Sequence, residues 1–500
     1  MSTKEASTLT LNELFPSPTP STAPGSPRFW PGLTPTSVEE LKTNLKDNHE
    51  RWHIFFNDMR FHNHSAHSAL ALWALGADES ILQASYKDSS AYQRPAFEAP
   101  NAITATNWKD HLGDEKYYQG YLKFFNEEIK THGGDEVLKK YVFTNEANIA
   151  AGGGPNPSML QRFLAGLLHP LIHTGYGLEF NLPGMLVEGL AQTAVHEVQT
   201  ENLLPASVFK SNDGVENLTS RLLRGVGLKN TPAEHKDGVH ALTVLARVFA
   251  DDRLGKNLTE DIRKNFSDTV LNGGHIIKEY TDQWTFHGKL EDLVEELVWA
   301  NVVIYAIGGW EGAGKPLNAD FFYMHLVTSS LFLSSLVHRI SSTDAERLLR
   351  GYFAISLAVY ISQGKPTLDI AGFYEDTTVH PTPPGPLPTP SEGTHPSPSS
   401  PIAVTPNPWF AILQTTIVHR DDHLPKLQRA LSHYAELYGG RISGSFANTE
   451  LKGAEHLDGT LFVRAAILTT NRMGWVREGE PPLHFWDRRG FFKSSAESKA

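Results

Sequence analysis

The chain has 500 residues, a net charge of -12 and no cysteine. The missing thiols exclude disulfides, thiol nucleophiles, iron–sulfur clusters and thiolate-bound haem or zinc. With no Lys/Arg run or basic stripe, the acidic balance argues against nucleic acid or an anionic membrane as partner, and a small neutral or aromatic ligand is easier to accommodate.

Residues 1–36 are rich in Pro, Ser and Thr (PSPTPSTAPGSP) and are expected to be disordered, having little to bury. The opening MSTKEASTLTLNELF lacks a basic segment followed by an apolar stretch, so no secretory signal is expected and a cytoplasmic location is the default. Ser37 with Glu40 reads as a capping box that opens the first helix. Apolar residues at helical spacing then predict helices over 61–75, 158–172, 186–201, 233–250, 259–272, 290–307, 321–340, 344–362, 409–419, 422–438 and 459–471. The longest apolar stretch, Leu297 to Trp310, is too short to span a bilayer. Eleven prolines between His380 and Pro408 forbid helix and central strand and predict an inserted loop. Two-residue alternation is scarce. The expectation is an all-α fold: one large multi-helical domain, with a helical catalytic region at 37–375, a Pro-rich loop at 376–408, and a C-terminal helical part of the same domain at 409–500.

Imidazoles and oxygens are the only ligands left for a buried transition metal. His64 and His67, three apart, share a helical face, while His62 is expected to point elsewhere. His169 and His173 are four apart, a metal-site spacing, although Pro170 favours a helix start or kink between them. His325 is the one ionisable residue of an apolar segment before His338, which lies too far round the helix to join it. His419 ends one helix and His423 begins another, with Asp422 as N-cap. Lys365 follows a helix that ends at Gly364, where the dipole favours a lysine. Each feature alone also fits hydrogen-bonded core packing. Gly309 to Lys315 imitates a P-loop but runs into Pro316 where a magnesium-binding hydroxyl belongs, and no glycine-rich dinucleotide turn or Gly-x-Ser-x-Gly elbow occurs.

Four blocks, FHNHSAHSALALWALGA, HPLIHTGYGLEFNLPGMLVEGLAQTAVH, DFFYMHLVTSSLFL and HRDDHLPKLQRAL, together resemble the questin oxidase family of fungal secondary metabolism. They lie in order, and the resemblance extends from about residue 40 to 475. It implies an all-helical Baeyer–Villiger-type oxidase that opens an anthraquinone ring with O2 to give a benzophenone, with NADPH as reductant. It also implies non-haem Fe(II) held by four histidines and a carboxylated lysine. Carried over block by block, the imidazole ligands are His67 (with His64 as alternate), His173, His325, and His419 or His423. Lys365 is the carbamate candidate, with another lysine left open. The family often has His-His where this chain has His67-Ser68, which leaves the first ligand unfixed. Ten Trp, fifteen Tyr and twenty-six Phe can line a pocket for a flat polyketide. The rival readings are a helical interaction scaffold with incidental histidines, and a cofactor-free hydrolase or cyclase using one histidine as base.

Overall fold

The structure, a computed structural model, describes residues 8–210, 238–256, 258–259, 261–286, 288–483 and 485–492. Among these residues there is no sheet, only isolated bridges. The longer helices are α1 (Pro35–Arg51), α2 (Ser65–Ala74), α3 (Glu79–Ser90), α4 (Tyr118–His132), α5 (Ala165–Phe180), α6 (Pro183–Val195) and α7 (Ala241–Ala250). They continue with α8 (Ile262–Gln283), α9 (Leu290–Val302), α10 (Phe321–Ser330), α11 (Ser342–Ser362), α12 (Pro408–Ile417), α13 (Leu424–Tyr438) and α14 (Leu461–Met473). No helix among the described residues is long and apolar enough to cross a membrane.

The architecture is all-α around α10. This helix is apolar on every face, so it takes the centre, and residues 323–330 are all buried. Helices α5, α9, α11 and α13 pack around it. The closest pair is α5 and α6, joined by a turn with Asn181 in the left-handed region at φ 52°. Gly189 permits their approach, because a Cβ there would meet Thr174 Oγ1 at 2.3 Å and the Thr174 backbone nitrogen at 2.7 Å.

Several local expectations are corrected. The first helix is capped by Thr34, with Pro35 in its first turn and Ser37 as the reciprocal partner, one turn earlier than the Ser37–Glu40 reading. Residues 8–34, expected to be disordered, lie against the core. Thr10 caps a short helix, Leu11–Leu14, and Phe15 is wholly buried against Gly184. Ser21 and Thr19 amides bond to the Glu179 and Phe180 carbonyls at the end of α5. A few well-placed apolar residues anchor a segment whose average composition reads as unstructured. Residues 1–7 and the start of the 233–250 segment lie outside the described residues. The 290–307 segment ends in a π-helical turn at Val303–Ile307, and the 321–340 segment breaks after Ser330. Asp376 still belongs to a short helix, Ile370–Asp376, but residues 377–400 contain no helix, as the prolines require; Pro401–Val404 forms one turn.

Candidate functional site

Four imidazoles from four separate segments form a ring. Centroid separations are 5.0 Å from His64 to His169, 5.0 Å from His169 to His325, 5.2 Å from His325 to His423 and 4.5 Å from His423 back to His64. Each Nδ1 is held by an oxygen. His64 Nδ1 meets Asp422 Oδ2 at 2.9 Å, and His423 Nδ1 meets Asp422 Oδ1 at 2.6 Å. His169 Nδ1 meets the Gly166 carbonyl at 2.5 Å, and His325 Nδ1 meets the Phe321 carbonyl at 2.7 Å.

Carbonyl and carboxylate oxygens only accept, so every Nδ1 carries the proton and every Nε2 presents a lone pair. Buried His325 Nε2 and His423 Nε2 have no partner. His64 Nε2 and His169 Nε2 face each other at 2.8 Å, two acceptors without a proton between them. Such an arrangement is repulsive unless a cation sits among the nitrogens, and it is the outer-sphere pattern that orients imidazoles on a metal. Burial also keeps three of these rings neutral: it pushes His64 down to about 3, and it holds His169 and His325 well below the usual imidazole range, with neighbouring cationic groups adding to the effect. For Asp422 burial pushes upward, but the electrostatic pull and the N–H groups of His423 and His64 together outweigh it and hold the carboxyl well below its ordinary value. His64, Asp422 and His423 also place ligand atoms within 4.8 Å of one another.

The backbone explains the aim of two rings. Gly166, Leu167 and Leu168 are left-handed, with φ of 54°, 54° and 66°, so the regular part of α5 begins at His169 and Pro170 sits where no amide proton is needed. This turn puts the Gly166 carbonyl under His169 Nδ1. At α13, Asp421 takes the capping role expected of Asp422: its Oδ1 accepts from the His423 and Leu424 amides, both at 2.9 Å. Asp422 is thereby released to bridge two histidines.

The structure separates the other expected residues. His67 Nε2 donates to His173 Nδ1 at 2.9 Å, and His173 Nε2 donates to Glu188 Oε2 at 2.7 Å, so both His173 nitrogens are committed. His67 retains Nδ1 as a buried unpartnered atom behind the ring. His419 accepts from the Asp421 amide and donates to the Met473 carbonyl, leaving no lone pair for a metal. Lys365 is placed elsewhere: its ammonium bonds the Asp251 and Leu254 carbonyls at 2.9 and 3.2 Å. The lysine beside the imidazoles is Lys426, only 6% exposed, its charge disfavoured by burial against the pull of Asp422 and Asp421. It stands three residues after His423, a spacing visible in the sequence. His62, expected to point away, stacks on His169 at 3.8 Å and pairs with His196 at 2.8 Å. It precedes α2, so helical phase does not govern it.

A cavity of about 1030 Å³ opens onto His62, His64, His169, His196 and His423. Phe61, Leu164, Leu167, Phe266, Phe321, Phe322, Ile355 and Val359 make much of its wall apolar. One small side of the site therefore carries lone pairs and the rest suits a flat hydrophobic molecule.

Comparison with known proteins decides the lineage. Residues 61–431 match the questin oxidase-like family. The chain belongs to this family. It is 35% identical over 449 residues to a Baeyer–Villiger oxidase of Aspergillus sp. (strain MF297-2), covering 87% of this chain and 86% of that one. It is 30% identical over 373 residues to a Baeyer–Villiger monooxygenase of Aspergillus aculeatus (70% and 73%), and 26% identical over 411 residues to a questin oxidase of Aspergillus terreus (79% and 80%). The questin oxidase-like chain described here is thus an oxidative enzyme, and the scaffold reading falls away.

Proposed function

We propose that this oxidase inserts oxygen from O2 into an anthraquinone ring at a non-haem iron site and opens the ring to a benzophenone. The single observation that carries the reading is the ring of four imidazoles, with neighbouring centroids 4.5 to 5.2 Å apart and an oxygen at every Nδ1. His64, His169, His325 and His423 would hold the iron, and Lys426, carboxylated, would supply the oxygen ligand assigned to Lys365 from sequence. Iron held by neutral nitrogens and one oxygen supplies binding and activation of O2.

The protein's own groups do the positioning. Asp422 fixes two imidazoles, and the Gly166 and Phe321 carbonyls fix one each, so the set is oriented before any ligand arrives. Neutral Lys426 is a nucleophile toward CO2, and its burial favours that form. Phe321 and Phe322 lie one turn before His325 and place apolar wall beside it, which excludes bulk water. In the overall insertion, one oxygen atom enters between the carbonyl carbon and the adjacent ring carbon and the other leaves as water. Two electrons and two protons come from NADPH and H+, and a further water opens the lactone.

The test is incubation of purified protein with anthraquinones under 18O2, reading oxygen incorporation, ring opening and NADPH consumption, alongside metal analysis. Stoichiometric iron, lost in His169→Ala and His325→Ala together with turnover, supports the reading. Full turnover by iron-free protein would sink the metal site, and turnover without O2 would favour a hydrolase or cyclase.

A further inference from the structure

Residues 486–491 form a segment pinned to two walls of the cavity, at Phe321 on α10 and at Gln363 just past α11. At one end the Trp486 indole donates to Asp421 Oδ1 at 3.0 Å, two residues before His423. The Asp487 amide donates to the Ala319 carbonyl at 3.0 Å, and its carbonyl accepts from the Phe321 amide at 2.8 Å. The Asp487 carboxylate takes the Arg472 guanidinium in a two-point contact at 3.0 and 2.8 Å. At the other end the Phe491 amide donates to the Gln363 carbonyl at 2.7 Å, and the Phe491 ring stacks on Tyr323. The segment lies beyond residues 61–431, the stretch matched to the family.

Between these anchors stands Arg488, an exposed residue that lines the cavity. Its guanidinium carbon lies 4.2 Å from the centroid of the Phe321 ring. The same ring meets His325 at 4.6 Å and His423 at 5.1 Å, both edge-on. One aromatic side chain thus joins the arginine to two of the four imidazoles, and a flat multi-ring guest lying along this wall reaches both. Stacking engages the face of a guanidinium, while its N–H donors lie in the plane and match a carboxylate or another anionic oxygen. The other charges on the wall have structural duties. Arg60 is bonded to Glu197 and to the Gly113 and Val195 carbonyls, Asp422 holds two imidazoles, and Asp261 caps α8. Arg488 is the wall cation set at the imidazole end.

We infer that Arg488 is a specificity-determining residue that pairs with an anionic oxygen substituent on the substrate ring. An apolar wall accepts a flat guest in several poses, and a charge held by a pinned segment selects those that turn the anionic edge towards residues 486–491. A neutral substituent of the same shape gains no such pairing. This inference rests on the anthraquinone reading above and adds the charge of the substituent that the cavity selects. Because the readout is binding, it does not depend on turnover.

The experiment measures Kd by tryptophan fluorescence quenching for anthraquinone-2-carboxylate and its neutral near-isostere anthraquinone-2-carboxamide, at low and at high salt. Wild-type protein is expected to prefer the carboxylate by about three- to tenfold at low salt, and salt should shrink the preference. Arg488→Met, which keeps an unbranched stem and loses the charge, is expected to abolish the preference while retaining affinity for the carboxamide. Arg488→Lys should keep part of it, having the charge without the planar fork. Arg489→Met removes the same charge from a neighbour that pairs with Glu311 instead of lining the cavity, and should behave as wild type. No preference in the wild type, a preference that survives Arg488→Met, or an equal loss in Arg489→Met overturns the inference and leaves the function reading standing. Failure of both quinones to bind overturns the function reading and the inference with it.

Discussion

Asp422 shows how much a single side chain can organise. Its two oxygens hold His64 and His423, so Asp422→Asn, which can accept from only one of them, is expected to lower iron affinity by about 10–100-fold in a metal-competition titration. Lys426 carries a separate expectation. Protein stripped of CO2 should bind iron weakly and recover on addition of bicarbonate, and Lys426→Arg should show neither behaviour, because a guanidinium does not form the carbamate. Equal iron content with and without bicarbonate refutes carboxylation while leaving the imidazole ring intact. Lys365→Ala, by contrast, should leave iron content unchanged, since its ammonium holds two carbonyls away from the ring.

Helices α5 and α10 impose constraints that their sequences alone do not reveal. Gly166 is left-handed, and a Cβ there would lie 2.4 Å from His196 Cε1, so Gly166→Ala combines backbone strain with a clash. A loss of about 2–4 kcal/mol in denaturant unfolding is expected, with His169 displaced and iron content reduced. At α10 the N-cap Asp320 is fully buried, and desolvation raises its carboxyl to about 7 despite amide hydrogen bonds from Tyr323 and Phe322. A carboxyl raised on folding favours the protonated native state. Its contribution is therefore complete below about pH 4, declines as pH rises toward 7, and is absent above that. Asp320→Asn keeps a capping oxygen and removes the titration, so the variant should be more stable than wild type at pH 8 by on the order of 2–4 kcal/mol and show a flatter stability profile between pH 4 and 7. A wild-type profile that rises across this interval would contradict the assignment.

At the scale of the molecule, the site depends on helices remote in sequence being locked together. Glu179 on α5 and Arg429 on α13 form a buried ion pair, with the guanidinium over Phe180 at 5.2 Å. Removing one partner strands a charge, so Glu179→Ala should cost about 3–5 kcal/mol and lower iron occupancy indirectly. Deleting residues 386–398 of the Pro-rich loop should leave both stability and iron binding nearly unchanged, because that exposed stretch contributes no core residue.

The all-helical class and most helix positions were legible because apolar residues recur with a 3.6-residue period and prolines mark the loop. The absence of cysteine and the histidine blocks similarly limited the metal chemistry to imidazole and oxygen. Choosing among the histidines was beyond sequence, since spacing says which residues share a face but not what each nitrogen meets. His169 and His173 are equivalent by spacing, yet a left-handed turn gives one a carbonyl behind Nδ1 while Glu188 occupies the other. His419 and His423 divide in the same way, the first consumed by backbone groups and the second left with a buried lone pair. Lys426 displaced Lys365 for a tertiary reason, because only the packing of α13 against α2 and α10 brings its amine beside the imidazoles. Local periodicity is written in neighbouring residues; which lone pairs meet is decided by the tertiary packing that brings segments 105 positions apart, such as those of His64 and His169, into contact.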